Sequence, residues 1–346
     1  MNTNPEPPGA TVLPAEYART QRRRKVRVFI GLGLAFLLLG SFGACLVVQP
    51  MPFTKPGQSS IVVEPSKLEV HVRYMAEDCA PRHWQGREGL AKAGAYIEKE
   101  LRDAGGRISE QVFEVRGKPY RNVIASFGPQ SGPRIIVGAH YDACEALPGA
   151  DDNASGVAGL LELGRLLGAR PPAMGVELVA YTLEEPPFFR TQDMGSARHA
   201  QAAKIKGEAV RAMIALEMIG RFTDAPQSQA YPSALISPLY PDRGNFIAVV
   251  GRLNDIGLTR SVKRTMRGAT SLPVVSINAP RWIPGLDFSD HHPYWDGGFP
   301  AVMVTDTAFY RNTDYHTPQD TPERLDYLRM AQVVQGVHAA VEHLAR

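Results

Sequence analysis

The sequence predicts an α/β fold: a three-layer sandwich with a mixed, largely parallel central sheet, preceded by one transmembrane helix. Two observations lead to this prediction. From about residue 67 to residue 346, short apolar segments alternate with segments of helical periodicity, without an internal repeat. This pattern is typical of a sheet whose two faces are both covered by helices. Near the N-terminus, residues 28–48 contain no charged side chain.

The uncharged segment 28–48 is long enough to cross a bilayer, since its 21 residues form about 31 Å of α-helix. Five of the six residues from 22 to 27 are Arg or Lys, which favours a cytoplasmic N-terminus. We interpret the segment as an uncleaved signal anchor, with the following chain periplasmic or extracellular. Two alternatives are a lipoprotein signal ending at "FGAC", with Cys45 lipidated, and a buried core helix.

This interpretation divides the chain into a cytoplasmic basic tail (1–27), the anchor (28–48), a Pro-rich linker (49–66) and one folded domain (67–346). The first 21 residues are Pro-rich and polar, which favours disorder. Residues 1–48 carry six Arg or Lys and two Glu, a net charge of +4, so the total of +3 leaves −1 for the rest. A nearly neutral domain has no basic footprint for nucleic acid, and we predict no nucleic-acid partner.

Within the folded domain, the apolar segments predict strands and the periodic segments predict helices. The predicted strands are 120–128, 134–142, 175–185, 209–220 and 301–307. The predicted helices are 90–105, 153–168, 243–257 and 321–345. Ligands bind beyond the carboxyl ends of the strands in such sheets, so polar residues that follow the strands are candidates for a functional site.

Ionisable side chains lie at or just after the ends of these strands. They are His140, Asp142, Asp152, Glu184, Glu185, Glu217 and His316. Histidines together with carboxylates form a nitrogen and oxygen ligand set suited to zinc, cobalt or manganese. Glu217 interrupts the apolar strand "MIALEMI", where a carboxylate without a partner is costly.

Each of these residues also has an ordinary structural interpretation. A histidine after a strand is often hydrogen-bonded in the core, and paired glutamates often lie in a solvated turn. The run Asp151, Asp152, Asn153 precedes a predicted helix, where one such side chain caps the helix. A cap needs one side chain rather than three, and the joint arrangement of all these residues favours a metal site.

The motifs that carry these residues resemble those of the two-zinc aminopeptidases, family twenty-eight of the metallopeptidases. The motifs are, in order, "GAHYD", "GADDNASG", "TLEEPPF", "LEMIG", "SDHHPYWDGGFPAV" and "YHTPQDT". Relatives in that family include bacterial leucyl-type aminopeptidases, glutamate carboxypeptidase II, the transferrin receptor ectodomain and glutaminyl cyclases. The resemblance extends from about residue 70 to the C-terminus and implies a fold of the zinc-exopeptidase type.

The resemblance implies two zinc ions per chain, with cobalt or manganese as substitutes. It implies that Asp152 bridges them, that Glu185 and His316 hold one ion, and that His140 and Glu217 hold the other. Glu184 is then the general base, which takes a proton from the metal-bridging water.

The resemblance also implies supporting roles and a cis peptide bond after Asp152. Asp142 is expected to accept the second ring N–H of His140. Asp151 and Asn153 are expected to hold the loop around Asp152 and to start the next helix. Asp290 and His291 are expected to shape the pocket without binding metal.

Two features depart from the family pattern. Many members have Asp where this chain has Glu217, which is one methylene longer. Some members place a Tyr just before "SDH" to stabilise an oxyanion, whereas this chain has Leu286, Asp287 and Phe288. The Pro-Pro-Phe-Phe run at 186–189 is interpreted either as a rigid turn or as an apolar wall of the substrate pocket.

These observations predict a membrane-tethered zinc aminopeptidase that removes N-terminal residues from peptides. The alternatives are a glutaminyl cyclase on the same fold, a non-catalytic binding ectodomain, and a carboxypeptidase-like use of the same centre. Of the three cysteines, Cys79 and Cys144 would be able to pair in an oxidising compartment, and the sequence leaves that pairing open.

Overall fold

The computed structural model describes residues 15–49, 56–57, 59–234 and 236–346. It divides into two compact units, with the boundary between Leu46 and Val47. The first unit contains most of helix α1, Ala15–Val48. Its part Arg19–Cys45 is long and apolar enough to cross a membrane by length and composition. Large apolar side chains along it are exposed, as is Phe36 at 78%.

The helix begins at Ala15, so the prediction of disorder through residue 21 is wrong for residues 15–21. Ala, Arg and Gln in this stretch are good helix formers and extend the apolar helix towards the N-terminus. The predicted tail residues 1–14 lie outside the described residues, as do 50–55 and 58 of the predicted linker.

The second unit is built on an eight-stranded mixed sheet. Its strand order is β1-β2-β4-β3-β5-β8-β6-β7. The four central strands β4, β3, β5 and β8 are parallel to one another, whereas β2 and β6 pair antiparallel to β4 and β8. The strands are β1 Arg107–Val115, β2 Lys118–Phe127, β3 Arg134–His140, β4 Gly175–Tyr181, β5 Val210–Glu217, β6 Ile247–Arg252, β7 Val274–Ala279 and β8 Ala301–Thr305.

Helices cover both faces of the sheet and make the three layers that the sequence predicts. They are α2 Pro65–Arg73, α3 Arg87–Asp103, α4 Gly156–Ala169, α5 Gly195–Ile205, α6 Ile256–Ala269, α7 His291–Gly297 and α8 Tyr327–Leu344. Side chains of β3 alternate between two cores: Ile135 and Val137 belong to the larger one and Ile136 to the smaller one. This alternation is the period of two expected of a strand buried on both faces.

Five predicted strands and three predicted helices correspond to elements of the structure, but the helix predicted at 243–257 is wrong. That stretch contains strand β6, Ile247–Arg252, and helix α6 begins only at Ile256. The run "IAVV" is apolar throughout and rich in β-branched residues, which suits a strand enclosed between two neighbours. Strand β1 was not predicted because it is a polar edge strand. Helix α2 begins within the predicted linker.

Candidate metal centre

The candidate site lies at the carboxyl ends of three adjacent parallel strands. His140 is the last residue of β3, and Glu217 is the last residue of β5. Glu184 and Glu185 follow β4 by three and four residues. His316 comes from the loop that follows β8. Since parallel strands end at the same edge of a sheet, the fold collects residues that lie up to 176 positions apart in the sequence (316 − 140 = 176).

Asp152 lies at the centre of this group and faces both histidines. Its Oδ1 is 3.3 Å from His140 Nε2, and its Oδ2 is 3.0 Å from His316 Nε2. His316 Nε2 also lies 3.3 Å from Glu185 Oε2, and His140 Nε2 lies 3.4 Å from Glu217 Oε2. The structure therefore brings together two groups of side chains that share the Asp152 carboxylate, one with Glu185 and His316 and the other with His140 and Glu217. We call these groups half-sites, and their members are the residues that the family resemblance implies.

Several buried polar atoms of the cluster are not satisfied by hydrogen bonds. His140 Nε2, His316 Nε2 and Glu185 Oε1 are buried and have no hydrogen-bond partner among the described residues. Nearly all buried polar atoms in proteins have such a partner. Imidazole nitrogens and carboxylate oxygens are ligands of zinc, so the unpartnered atoms form a donor set that fits a metal ion.

The loop that carries Asp152 is held to strand β5 from both sides. The Asp152–Asn153 peptide is cis, as predicted. Asn153 Nδ2 donates to the Leu216 carbonyl at 2.9 Å, and Asn153 Oδ1 accepts from the N–H of Met218 at 3.1 Å. Asp151 Oδ1 accepts from the N–H of Gly220 at 3.0 Å. These bonds fix the position of Asp152 relative to Glu217.

Asn153 Oδ1 also accepts from the N–H of Gly156, the first residue of helix α4, at 3.1 Å. The expected roles of the two neighbours of Asp152, holding the loop and starting the helix, agree with these contacts. Gly149 precedes the loop with φ 56°, and a Cβ there would lie 2.2 Å from the carbonyl oxygen of Asp152. Only glycine avoids that collision.

Asp142 is close to His140 but makes different contacts from those expected. The ring Nδ1 of His140 lies 3.2 Å from the backbone carbonyl of Asp142 and 3.6 Å from its Oδ1. The carboxylate instead accepts the backbone N–H groups of Glu184 and Glu185, at 3.2 and 3.1 Å. Asp142 thus fixes the imidazole through its main chain and positions the two glutamates through its side chain.

The pKa values of the cluster reflect its burial and its negative charge. Burial alone would raise the pKa of Asp152, but its contacts with His140 and His316 lower it below the usual range. Burial would lower the pKa of His316, but Asp152 and Glu185 raise it to about 12. Burial raises the pKa of Glu185 to about 8, with a further contribution from the charge of Asp152.

The "SDH" motif lies beside the cluster, and its three residues are all buried. Ser289 Oγ donates to Glu217 Oε2 at 2.6 Å, a contact that the sequence analysis missed. Burial raises the pKa of Asp290 to about 7. Burial lowers the pKa of His291 to about 3, and its Nε2 lies 2.8 Å from the Leu286 carbonyl. His291 is therefore a neutral residue of the core.

An apolar pocket opens beside Glu217. Its walls come mainly from β6, β7 and the loops after β5, β7 and β8. Among the lining residues are Tyr231, Tyr240, Phe246, Ala248, Ile277, Leu286, Phe288, Met303, Phe309 and Tyr315. Residues 186–189 do not line this pocket directly. Phe188 packs edge-on against Trp84, whereas Phe189 packs edge-on against Phe288, which does line the pocket, with 5.6 and 5.4 Å between the ring centroids.

Two further residues support the site and were missed in the sequence. The Asp320 carboxylate accepts the N–H groups of Asp151 and Asp152, at 3.0 and 3.1 Å. Asp320 belongs to the motif "HTPQDT", which was a usable signal. Arg82 is fully buried and donates to the carbonyls of Met75 and Tyr141, both at 3.1 Å. Nothing in its local sequence distinguishes Arg82 from a surface arginine.

All three cysteines are unpaired, so the structure contains no Cys79–Cys144 bridge. Cys79 is buried, and Cys144 is half-buried beside Glu185 and His316. Arg190 is paired with Asp287 at 2.7 Å.

The sequence profile of peptidase family M28 matches residues 122–341. The uncharacterized protein YfbL of Escherichia coli is 48% identical over 312 residues, which cover 88% of this chain and 96% of YfbL. Leucine aminopeptidase 1 of Ajellomyces dermatitidis is 30% identical over 227 residues, covering 61% of this chain. The match spans about half, 52%, of the length of that aminopeptidase.

Two solved structures share the fold. LapB from Legionella pneumophila is similar with a TM-score of 0.65 and 21% identity, covering 82% of this chain and 72% of LapB. Glutaminyl cyclase from Porphyromonas gingivalis is similar with a TM-score of 0.60 and 22% identity, covering 81% of this chain and 98% of the cyclase. At these identities the likeness concerns the fold alone.

Proposed function

The chain belongs to peptidase family M28, and from this premise we propose that it is a zinc-dependent aminopeptidase that removes N-terminal apolar residues from peptides. The observation that carries the proposal is the arrangement around Asp152. One buried carboxylate faces His316 with one oxygen and His140 with the other, and each histidine has its own glutamate beside it.

Charge balance favours two divalent ions in this site. Asp152, Glu184, Glu185 and Glu217 carry four negative charges when ionised, and all four are buried. Buried charges require partners of opposite sign, and two divalent cations supply four positive charges. Glu185 and His316 would hold one ion, His140 and Glu217 the other, and Asp152 both. When bound, such ions supply an acidified water and polarise the carbonyl under attack.

Glu184 is placed to move protons during hydrolysis. Its Oε2 lies 4.0 Å from His140 Nε2, beside the two half-sites, and Asp142 fixes its main chain. Burial raises the pKa of Glu184 well above its ordinary value; His140 opposes this shift, and the charges of Glu185 and Glu217 add to it. A carboxyl group with a raised pKa accepts a proton from the attacking water and then donates it to the leaving amine.

The apolar pocket supports a preference for large apolar side chains. It shares Glu217 with the cluster, so a side chain in the pocket places its own backbone next to the carboxylates. A free α-amino group is positively charged at neutral pH and is attracted to this acidic cluster. The amine would therefore face the cluster while the first side chain enters the pocket, which selects the N-terminal residue.

We further propose that residues 28–48 anchor the enzyme in a membrane, with the tail 1–27 cytoplasmic and the domain 67–346 periplasmic or extracellular. The support is the length and apolar composition of helix α1 and the basic residues before its apolar part. A charged cluster of this kind stays on the cytoplasmic side.

The proposal is tested with the full chain, purified in detergent and loaded with zinc. We expect release of the anilide from leucyl- and phenylalanyl-anilide, and none from N-acetyl-leucyl-anilide, which lacks the free amine. Chelation of the zinc is expected to abolish the release. Ammonia release from a peptide with N-terminal Gln, without anilide release, would instead identify a glutaminyl cyclase. No reaction on either substrate by the metal-loaded chain would contradict an enzymatic role on these substrates.

The substitution Ala248→Leu tests whether the apolar pocket receives the N-terminal side chain. Ala248 is buried in β6 and lines the pocket, so the larger side chain shortens it. Because one methylene of misfit in such a pocket costs about 1–3 kcal/mol, we expect kcat/KM for phenylalanyl-anilide to fall at least about tenfold relative to alanyl-anilide. The alanyl substrate is the internal control, and an unchanged ratio would place the specificity pocket elsewhere.

A further inference from the structure

Helix α6 carries a concentrated positive charge on a domain that is otherwise close to neutral. Its 14 residues, Ile256–Ala269, include three arginines and one lysine but no Asp or Glu. The basic residues are Arg260, Lys263, Arg264 and Arg267. The chain after residue 48 has a net charge of −1, so this helix is a local excess of positive charge that its own sequence does not neutralise.

Three of these side chains form a stripe along the helix. An α-helix turns by about 100° per residue, so Arg260, Arg264 and Arg267 lie within about 60° of one another. We call these three residues the arginine stripe. Arg260 and Arg264 are exposed, and neither guanidinium has an ion pair or a hydrogen bond with the part of the chain that the structure describes. Their charges are therefore available to a partner outside the chain.

The fourth basic side chain, Lys263, binds the segment that follows the apolar part of helix α1. Lys263 is 3% exposed, and its Nζ donates to the carbonyls of Val48 and Gln49 at 2.8 and 3.0 Å. Ser276 of β7 donates its hydroxyl to the same Val48 carbonyl at 3.1 Å. Residues 48–49 are thus held against α6 and β7 by side chains of the domain.

The proposed membrane span ends close to this attachment. The apolar part of α1 ends at Cys45, three residues before Val48 (48 − 45 = 3). An extended chain advances at most about 3.6 Å per residue, so these three residues reach about 11 Å at most. Farther along the predicted linker, the N–H of Gly57 donates to the carbonyl of Arg267 at 2.9 Å. The connection between the proposed span and α6 is therefore too short to let the arginine stripe move far from the membrane surface.

We propose that the arginine stripe of α6 binds the acidic headgroups of the membrane in which the chain is anchored. The inference rests on the proposed membrane anchor. Arginine pairs with phosphate through two parallel N–H···O bonds, and each basic side chain near an acidic membrane surface strengthens binding about fivefold. Because the short connection holds the stripe at a high effective concentration of headgroups, these contacts orient the domain with α6 towards the lipid.

The test measures how readily each arginine is modified when the full chain is embedded in lipid. The chain is placed in bilayer discs of phosphatidylcholine alone, or of phosphatidylcholine and phosphatidylglycerol in equal parts. It is then treated with phenylglyoxal, which modifies accessible guanidinium groups, and mass spectrometry gives the rate at each site. We expect Arg260 and Arg264 to react at least about fivefold more slowly in the acidic discs. High ionic strength is expected to remove this protection, because it screens exposed charges.

The chain offers an internal reference and matched variants. Arg116 is exposed in the turn between β1 and β2, at the opposite edge of the sheet from β7, so its rate is expected to be the same in both kinds of disc. In Arg260→Gln we expect the protection of Arg264 to fall about fivefold, and in Arg264→Gln that of Arg260, because each variant loses one charge of the stripe. Gln is a good helix former, so α6 is retained. The control Arg116→Gln is expected to leave the protection of both residues unchanged.

Equal rates at Arg260 and Arg264 in the two kinds of disc would overturn the inference and leave the proposed anchor intact. Slower modification of Arg116 by the same factor would show a general exclusion of the reagent and overturn it as well. Protection by added polyglutamate, without protection in acidic discs, would assign the stripe to an acidic protein instead. Failure of the chain to associate with any disc would overturn both the anchor and this inference, whereas anilide hydrolysis by the same preparation tests the proposed activity separately.

Discussion

Replacing Glu184 by Gln is expected to lower kcat for leucyl-anilide by about 10²- to 10⁴-fold, the usual contribution of a general acid–base group. Gln has the same shape as Glu but cannot accept and return a proton. Glu184 lies farther from His140 Nε2, at 4.0 Å, than Asp152 and Glu217 do, at 3.3 and 3.4 Å. We therefore expect the variant to keep its full metal content, measured by elemental analysis, while KM changes little.

Metal content is what distinguishes a base from a ligand in this experiment. If Glu184→Gln loses metal in proportion to activity, Glu184 is a ligand and the base lies elsewhere. Glu162→Gln is a matched control, because Glu162 is also a buried glutamate, 2% exposed, but it lies in helix α4 and pairs with Arg165. We expect this control to retain activity, with any effect confined to thermal stability.

Replacing Asp152 by Asn is expected to affect both half-sites at once. The amide keeps one oxygen acceptor but removes the negative charge that faces both His140 and His316. We expect bound metal per chain to fall by at least half. Activity is expected to fall by about 10²- to 10³-fold or more, because the lost polarisation is worth several kcal/mol.

The control for this substitution is Asp255→Asn. Asp255 is a buried aspartate, 6% exposed, whose carboxylate pairs with Arg252 at 2.8 Å, before helix α6. We expect this variant to keep the parent's metal content. Full metal content in Asp152→Asn, with a parent-like circular dichroism spectrum in both variants, would show that Asp152 does not bridge the two half-sites.

The clustering of the residues proposed as ligands was predictable because each belongs to a short motif that ends or follows a strand. A parallel strand fixes where its last residue lies, so His140 and Glu217 required only that their strands be recognised. The expected cis peptide after Asp152 and the anchoring of its loop by Asp151 and Asn153 agree with the structure. Both expectations came from the family resemblance, whereas the meeting of the strand ends follows from one topological rule.

The apolar pocket was not predictable in the same way. Its walls bring together segments far apart in the chain, from Tyr231 to Tyr315, and the register of β6 between β8 and β7 had to be known first. The 243–257 stretch was predicted as a helix, so strand β6 within it was missed. The position of Cys144 beside His316 likewise depends on how two loops approach each other, which sequence spacing does not encode.

The cluster around Asp152 and the apolar pocket are built from different chain segments, which has an evolutionary consequence. Bonds from Asp151 and Asn153 join the loop around Asp152 to the end of β5, so the two half-sites form one mechanical unit. Most of the pocket belongs to other segments, on β6, β7 and the loops around them. In the proposed enzyme, substitutions there change which N-terminal residue is recognised without disturbing the residues around Asp152. Selection is thus able to change the substrate preference of this fold while the residues that carry the reaction stay the same.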